Sequence, residues 1–543
     1  MENKLIYNVE DTPKFSKMLI FAFQQVLAVL AATIAVPTII GLPVNIPSAI
    51  LGAGLGTIVY LLFTKFKSPV VISSSFAFLG ALGNALAFGY MGIALGALFA
   101  GLVYVIIALI VMKFGTDWVK KFLPPVIIGP VVAIIGLSLA GNAAGDMVKA
   151  SADGVNGGYN LIGLLCGLVT FFTVVICSVQ SKAKTLKLIP FIVGIGAGYA
   201  LASIFSIIGH TADIEYLKII DWSPVVNNFE NFSFKSIIDV PQLSLVEGIK
   251  ELATGEVSRN VLERFVNLNA GSENELIANT FGVIQKDMAS MDYATLRAAI
   301  DVASSGLKLN APQTLSWVGV AEVALAFIPV AFVVFAEHIA DHTNLGTIIN
   351  RDLLNKEPGL SRTLLGDGVG SIVGTFFGIC PNTTYGESVG CVAVTKNASV
   401  KTIFTAAIML IVLAFIAPVT AVLRTIPNCV MGGVCLTLYG FIAVSGLKMF
   451  KQVNLDDNKN LFTVAAILIA GIGGLSLQIP YGLGDDGAVN KVITITSIAT
   501  ALFLGIATYA VCNLIEKKFG AVEAKEEAPA AAEKPAENAE ENK

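Results

Sequence analysis

Charge is what this sequence has least of. Asp, Glu, Lys and Arg together make 14% of its 543 residues, against about 25% in soluble globular proteins. A chain this long and this poor in charge is not a chain of soluble domains. Its net charge of −4 leaves no basic footprint for nucleic acid. Histidine is scarce too, with three in all. The seven cysteines (Cys166, Cys177, Cys380, Cys391, Cys429, Cys435 and Cys512) lie in or beside apolar stretches and form no CxxC pair. They read as small buried hydrophobes rather than metal ligands or disulfide partners. No cleavable signal peptide is expected, because MENKLIYNVEDTPKFSK is polar and mixed in charge and the apolar run after it is long enough to span a bilayer.

What is abundant is apolar surface: 55% hydrophobic residues, in repeated runs of about 20, the length that crosses a bilayer as a helix. The 51 glycines suit helices that pack closely in lipid. The runs predict an all-α polytopic membrane protein of about fourteen segments. The first seven lie near 17–40, 46–64, 69–88, 91–112, 124–145, 159–179 and 188–209. The second seven lie near 316–338, 361–380, 382–395, 401–423, 428–447, 460–478 and 489–513. Alternate connections carry the basic residues, among them Lys65, Lys67, Lys113, Arg351, Lys401 and Lys448, and the connections between them, such as GLPVNIPS at 41–48 and QIPYGLGDDGAVN at 478–490, do not. The positive-inside rule then places both termini in the cytoplasm of a multi-pass plasma or inner membrane protein.

Residues 1–16 form a cytoplasmic N-terminus, 17–209 and 316–513 the two groups of seven, and 210–315 an external insert with fourteen acidic and eight basic residues. Within the insert, LVEGIKELATGEVSRNVLERFV and MDYATLRAAIDVAS have helical apolar spacing. The insert could be a lid, a dimer contact or a tolerated insertion, and exposed loops accept added length cheaply. Residues 514–543 read as an acidic cytoplasmic tail, low in complexity from 521 onward.

Seven spans per half force the halves into opposite orientations, as in transporters built from inverted repeats. The third span of each half is interrupted: PVVISSSFAF at 69–78 and CPNTTYGESVG at 380–390 each hold a proline, small hydroxyl residues and an aromatic. Backbone unwound in lipid is tolerated only where protein surrounds it or it lines a cavity. Glu337 ends the run VALAFIPVAFVVFA, and Glu387 lies in the second interruption. Two membrane-embedded carboxyls beside broken backbone can bind a polar ligand and exchange a proton; the alternative for Glu337 is a helix end at the interface. His338, Asp341 and His342 follow Glu337 and could orient it and relay protons, or could simply end a helix. His338 and His342 share a helix face, but the order is not HExxH, and no metal is assigned. Ser75 and Phe76 in the first interruption, with Tyr385, Gly386 and Tyr439, could wall a pocket for a flat ring. Asp367, in LLGDGVGS, is read as structural. An anion carrier would place basic residues at mid-membrane, and here the embedded polar residues are acidic.

These residues resemble the nucleobase–cation symporters of the nucleobase–ascorbate transporter family, and within it most closely the bacterial uracil permeases. The resemblance is carried by FQQVLAVLAATIAVP (23–37), SSSFAF (73–78), GTDWVKKFLPPVIIGPVVAIIGLSLAG (115–141), AEHIADH (336–342), PNTTYGESVG (381–390) and IPNCVMGGVCLTLYG (426–440). It covers 15–209 and 316–513. It implies two inverted seven-segment repeats, a core domain from spans 1–4 and 8–11, a gate domain from spans 5–7 and 12–14, and short antiparallel strands in spans 3 and 10. It implies a base held by Glu337, Glu387 and the amides of Phe76 and Gly386. It also implies proton coupling through Glu337 with His338 and Asp341, no cofactor, and a homodimer. Gln25, Asp341 and Ser388 stand where members often have His, His and Asn. Glu387 favours uracil; xanthine or another nucleobase is the alternative.

Overall fold

In the computed structural model, residues 5–148, 159–180, 186, 189–230, 233, 236–272, 274–307, 309–483 and 489–520 are described. The first half comprises α1 (Phe15–Ile39), α2 (Ile46–Phe63), β1 (Ile72–Ser74), α3 (Leu79–Ala85), α4 (Gly89–Phe114), the short α5 (Asp117–Phe122), α6 (Pro125–Val148), α7 (Leu161–Val179) and α8 (Pro190–Ala212). The region 210–315 folds into α9 (Ser223–Glu230), α10 (Ser244–Thr254), α11 (Arg259–Ala270), α12 (Glu275–Asp287) and α13 (Tyr293–Leu307). The second half comprises α14 (Trp317–Ile349), α15 (Gly359–Phe377), β2 (Asn382–Thr384), α16 (Gly386–Thr395), α17 (Val400–Ala414), α18 (Ala417–Arg424), α19 (Asn428–Lys448), α20 (Asn458–Ile472), a hairpin β3–β4 (Leu477–Leu483, Val489–Ile495) and α21 (Ser497–Ile515). Among the described residues, nine helical segments are long and apolar enough to cross a membrane. The chain is a multi-pass membrane protein.

Three expected spans differ. The span expected at 316–338 continues as one helix to Ile349. It starts on the Ser316 cap, whose hydroxyl accepts from the Gly319 amide, and stops where Asn350 takes a left-handed conformation, φ 55°. The polar AEHIADH segment is therefore mid-helix, not a helix end. The span expected at 401–423 breaks at Phe415–Ile416 into α17 and α18, with Pro418 at the start of the second. The span expected at 489–513 begins as strand β4, paired antiparallel with β3. Apolar residues alternate in LQIPYGL, the strand period, and VNKVITI is rich in β-branched residues that favour a strand. The tail at 521–543 lies outside the described residues.

The helices sort into two packed groups. One holds α1–α4 and α14–α17; the other holds α6–α8 and α19–α21. Glycine sets the closest approaches. In the first group α2 lies against α15 so tightly that a Cβ on Gly52 would stand 2.2 Å from the Gly374 carbonyl oxygen. In the second, α6 meets α19, and a Cβ on Gly136 would stand 2.1 Å from the Tyr439 carbonyl oxygen. Helices in lipid gain little from the hydrophobic effect, and small residues let backbones touch. Each pair joins an element of the first half to the corresponding element of the second, as an inverted repeat requires.

The same correspondence joins β1 to β2, antiparallel, with Ile72 opposite Thr384 and Ser74 opposite Asn382. The Ser75 amide adds one more bond, to the Pro381 carbonyl at 2.9 Å. Side chains satisfy what remains. The Val71 amide donates to Ser388 Oγ at 3.0 Å, the Ile72 amide to Thr57 Oγ1 at 3.1 Å, and Asn382 Nδ2 donates to the Gly52 carbonyl at 2.9 Å.

The region 210–315 has its own small core of Val257, Leu262, Val266, Phe281, Leu296 and Ile300. It docks on the end of the bundle opposite the N-terminal segment, which pairs with Asn397 and binds Arg351 through Glu10. The buried Glu251 carboxylate accepts from the amides of Tyr90 (2.8 Å), Met91 (3.4 Å) and Ser258 (2.8 Å), capping α4 at its positive end. Gly89, with φ 67°, leaves room for it: a Cβ there would stand 2.2 Å from Glu251 Oε2. Glu251→Ala should cost the docking about 1.5–3 kcal/mol. Limited proteolysis is expected to cut 210–315 roughly tenfold faster or more, with the melting of the membrane helices little changed.

Candidate functional site

The two strands end where two helices begin. After β1 the chain turns at Ser75 into a helical stretch starting at Phe76, and after β2 it turns at Tyr385 into α16, starting at Gly386. Because the strands are antiparallel, the two helices leave in opposite directions and both present their N-terminal ends to the strand pair. First-turn amides have no partner within their helix, so the Phe76 and Gly386 amides stand free of the helical ladder. This follows from strand and helix sharing one short span.

Helix α14 runs beside the strand pair. Glu337 is twenty residues from its start at Trp317, roughly 30 Å along the axis, which is near the middle of the bundle. Its Oε2 is buried, with no hydrogen-bond partner among the described residues. It stands within interaction range of Asp341, Glu387 and Asp367. Asp341 Oδ2 accepts from the Thr384 hydroxyl at 2.9 Å. Gly386 faces the same carboxyl, and a Cβ on it would stand 3.8 Å from Asp341 Oδ1. Glu387 is half-buried beside the exposed Gly386. Phe76, buried, meets the Tyr439 ring edge-on at 5.2 Å. The Tyr385 hydroxyl donates to the Ser74 carbonyl, and Ser75 Oγ is buried without a partner among the described residues. Glu337, Asp341, Gly386, Glu387, Phe76, Ser75, Tyr385 and Tyr439 thus gather around the strand pair. Lys and Arg form no ion pair with these carboxyls among the described residues.

The histidines face a second polar cluster. His338 lies between Asp367 Oδ2 (2.7 Å from Nδ1) and Thr363 Oγ1 (3.0 Å from Nε2). His342 Nδ1 donates to the His338 carbonyl at 2.9 Å, and its Nε2 lies 2.7 Å from the Tyr60 hydroxyl. The two rings stack at 4.0 Å. All four ring nitrogens are occupied by different partners, so the pair does not converge on a metal position. Asp367, read from the sequence as structural, is fully buried and joins His338 to β2 through Thr383 Oγ1 at 3.3 Å. Like Glu337, Asp367 is a carboxyl inside a membrane-embedded helix. Asp367 lies early in the span expected at 361–380, and the local sequence does not show that α2 and α4 close over it.

Gln25 and Ser388, which both depart from the family pattern, are hydrogen-bond partners in the structure. Ser388 Oγ donates to Gln25 Oε1 at 3.0 Å, and Gln25 Nε2 reaches the Ser388 carbonyl at 3.4 Å. The amide–hydroxyl pair ties α1 to α16.

A multi-pass fold with an acidic centre is compatible with a membrane permease, and the family and relatives that the chain matches are permeases, not enzymes. Residues 16–273 and 303–479 match the permease family, and the chain belongs to it, the nucleobase–ascorbate transporter family. The uracil permease of Bacillus caldolyticus is 32% identical over 480 residues, 88% of this chain and 90% of that one. The uracil permease of Bacillus subtilis (strain 168) is 30% identical over 484 residues, 89% of this chain and 91% of that one. Among solved structures, the murine Solute Carrier 26 family member A9 anion transporter in the inward-facing state superposes with a TM-score of 0.52 at 10% identity, covering 93% of this chain and 69% of that one. That likeness is one of fold.

Ser388→Ala would strip the Val71 amide and the Gln25 side chain of their shared partner at a cost of about 1–3 kcal/mol. Gln25→Ala removes part of the same contact, so the double variant should lose less than the sum of the two. Thermal melting of the purified protein in detergent checks this; strict additivity would break the link between α1 and α16.

Proposed function

We propose that the protein imports uracil together with a proton. The observation that carries this is the buried oxygen of Glu337, unpartnered among the described residues, set beside Glu387 where two helix N-termini meet at paired strands. A uracil ring presents N–H donors flanked by carbonyl acceptors on one flat edge. Carboxyl oxygens accept from the N–H groups, the amides of Phe76 and Gly386 donate to the carbonyls, and the Phe76 and Tyr439 rings bound the faces. The similarity to uracil permeases supports this choice of base. Ser75 and Tyr385 fix the turns that aim the two amides.

Glu337, with His338 and Asp341 on the same helix, carries the proton. A set of carboxyls without Lys or Arg partners can take up and release protons, and coupling requires that the base bind differently in the two protonation states. Transport follows as the group holding β1, β2 and α14 moves past the group holding α6 and α19, the core against the gate. We place the basic end of the bundle, with both termini, in the cytoplasm and the insert outside.

Glu387→Ala should weaken uracil binding about 10- to 100-fold, the worth of a hydrogen bond to a charged group. Wild-type affinity in that variant, measured by equilibrium binding to purified protein, would remove Glu387 from the site. Glu337→Gln keeps a hydrogen-bonding side chain but not the titrating proton. It is expected to depress proton-driven accumulation of labelled uracil in transporter-free cells far more than uracil–uracil exchange. Stronger competition by unlabelled xanthine than by unlabelled uracil would reassign the base.

A further inference from the structure

A cavity of about 310 Å³ opens on the insert side of Phe76, in the size range of ligand pockets. Phe76 and Leu79 line its strand side, Ser138 and Asn142 of α6 and Thr496 of α21 its far side, and Arg264 of the insert its mouth. The arginine is held there by construction. Its Nε donates to the Ile40 carbonyl where α1 ends. Gly41, with φ 78°, makes room for its stem: a Cβ there would stand 3.2 Å from Arg264 Cγ. Its Nη2 lies 4.0 Å from where a Cβ on Gly83 would be, across the cavity mouth.

Anchoring the insert explains the Nε bond and leaves the two terminal nitrogens unaccounted for. Among the described residues no carboxylate pairs with this guanidinium. Burial brings its pKa down to about 10, so it is still a cation at neutral pH. A half-buried cation without a counter-ion is costly, and its free donors point into a cavity whose floor is a residue of the binding site. The opposite wall supplies an amide and hydroxyls, and the remaining walls are apolar, which suits a flat ring with polar edges.

We infer that this cavity is a second, weaker site for the transported base, in which Arg264 donates its terminal N–H groups to a ring carbonyl while the base waits above Phe76. The inference rests on the uracil reading. It makes the insert, which travels with α1, α4 and α15 through Ile40, Tyr90 and Gly378, part of the substrate path. Arg264 is a positioning residue: it acts before the base reaches Glu337 and Glu387.

The test is equilibrium binding of labelled uracil to the full-length purified protein over a wide concentration range. The wild type should show a tight component that Glu387→Ala removes and a weak component that survives in that variant. Adding Arg264→Gln to Glu387→Ala should abolish the weak component. Asn142→Leu, which narrows the cavity from α6 without touching the insert, should abolish it too, so the outcome does not depend on how well the arginine variant folds. In uptake assays Arg264→Gln should raise KM about 5- to 10-fold with little change in kcat, and Arg264→Lys should recover part of the loss. A single Glu387-dependent component in the wild type, or a weak component indifferent to both Arg264→Gln and Asn142→Leu, overturns the second site and leaves the uracil reading standing. Absence of any uracil binding by the wild type overturns both.

Discussion

The structure depends on one constraint: peptide groups inside a bilayer must find partners within the protein. Helices meet it alone, and two segments here do not. Residues 72–74 and 382–384 leave the helical ladder and meet it only by pairing with each other. Everything near the site follows. The two strands must come from opposite halves of the chain and lie side by side at the centre. Each must be followed by a helix whose first amides are unspent. Side chains from α2 and α16 must supply the remaining bonds, as Thr57 and Ser388 do.

That constraint also explains the distribution of charge. Carboxyls in an apolar bundle are tolerated where donors and other polar groups already exist, and here these occur around the strand pair. Asp341 takes Thr384 and Asp367 takes His338 and Thr383 through its Oδ2, while Glu337 Oε2 and Asp367 Oδ1 are buried without a hydrogen-bond partner among the described residues. The site is therefore graded. Asp341 and Asp367 are each held by the protein through one oxygen, which suits the role proposed for Glu337 in meeting a ligand and a proton.

Much of this was legible in the sequence because hydropathy and lipid thickness admit few solutions. Runs of twenty apolar residues mean spanning helices, and a serine or threonine cluster after a proline inside such a run means an interruption. Glu337 and Glu387 could be singled out because a carboxyl in an apolar run is expensive. The limits were physical as well. The average that reveals a span also conceals its ends: α14 runs on past His338, because His338 and Asp341 are satisfied by tertiary partners the local sequence does not contain. The hairpin at 477–495 reads as part of an apolar span until its alternation is considered apart from its mean. Asp367, in a helix of glycines, carries no local sign that α2 and α4 close over it.

The glycines give the last step. Among the described residues, every approach in which a Cβ would strike another helix's backbone within 2.5 Å joins helices of one group: Gly52 to Gly374 and Gly92 to Ala85 in the first, Gly136 to Tyr439, Gly433 to Gly167 and Gly446 to Ala133 and Gly129 in the second. Between the groups, at Gly80, the neighbour is the Thr496 side chain at 3.1 Å. Backbone-to-backbone contacts cannot slide without unlocking, whereas side-chain contacts can change rotamer and partner. Each group therefore resists internal rearrangement, and the boundary between them, where Phe76 meets Tyr439, is the surface along which relative motion costs least. On the proposed reading, a base held at that boundary would touch one group through the strand amides and carboxyls and the other through Tyr439. The proposed movement of the first group past the second would carry the amides, the carboxyls and the base together and exchange only the aromatic wall.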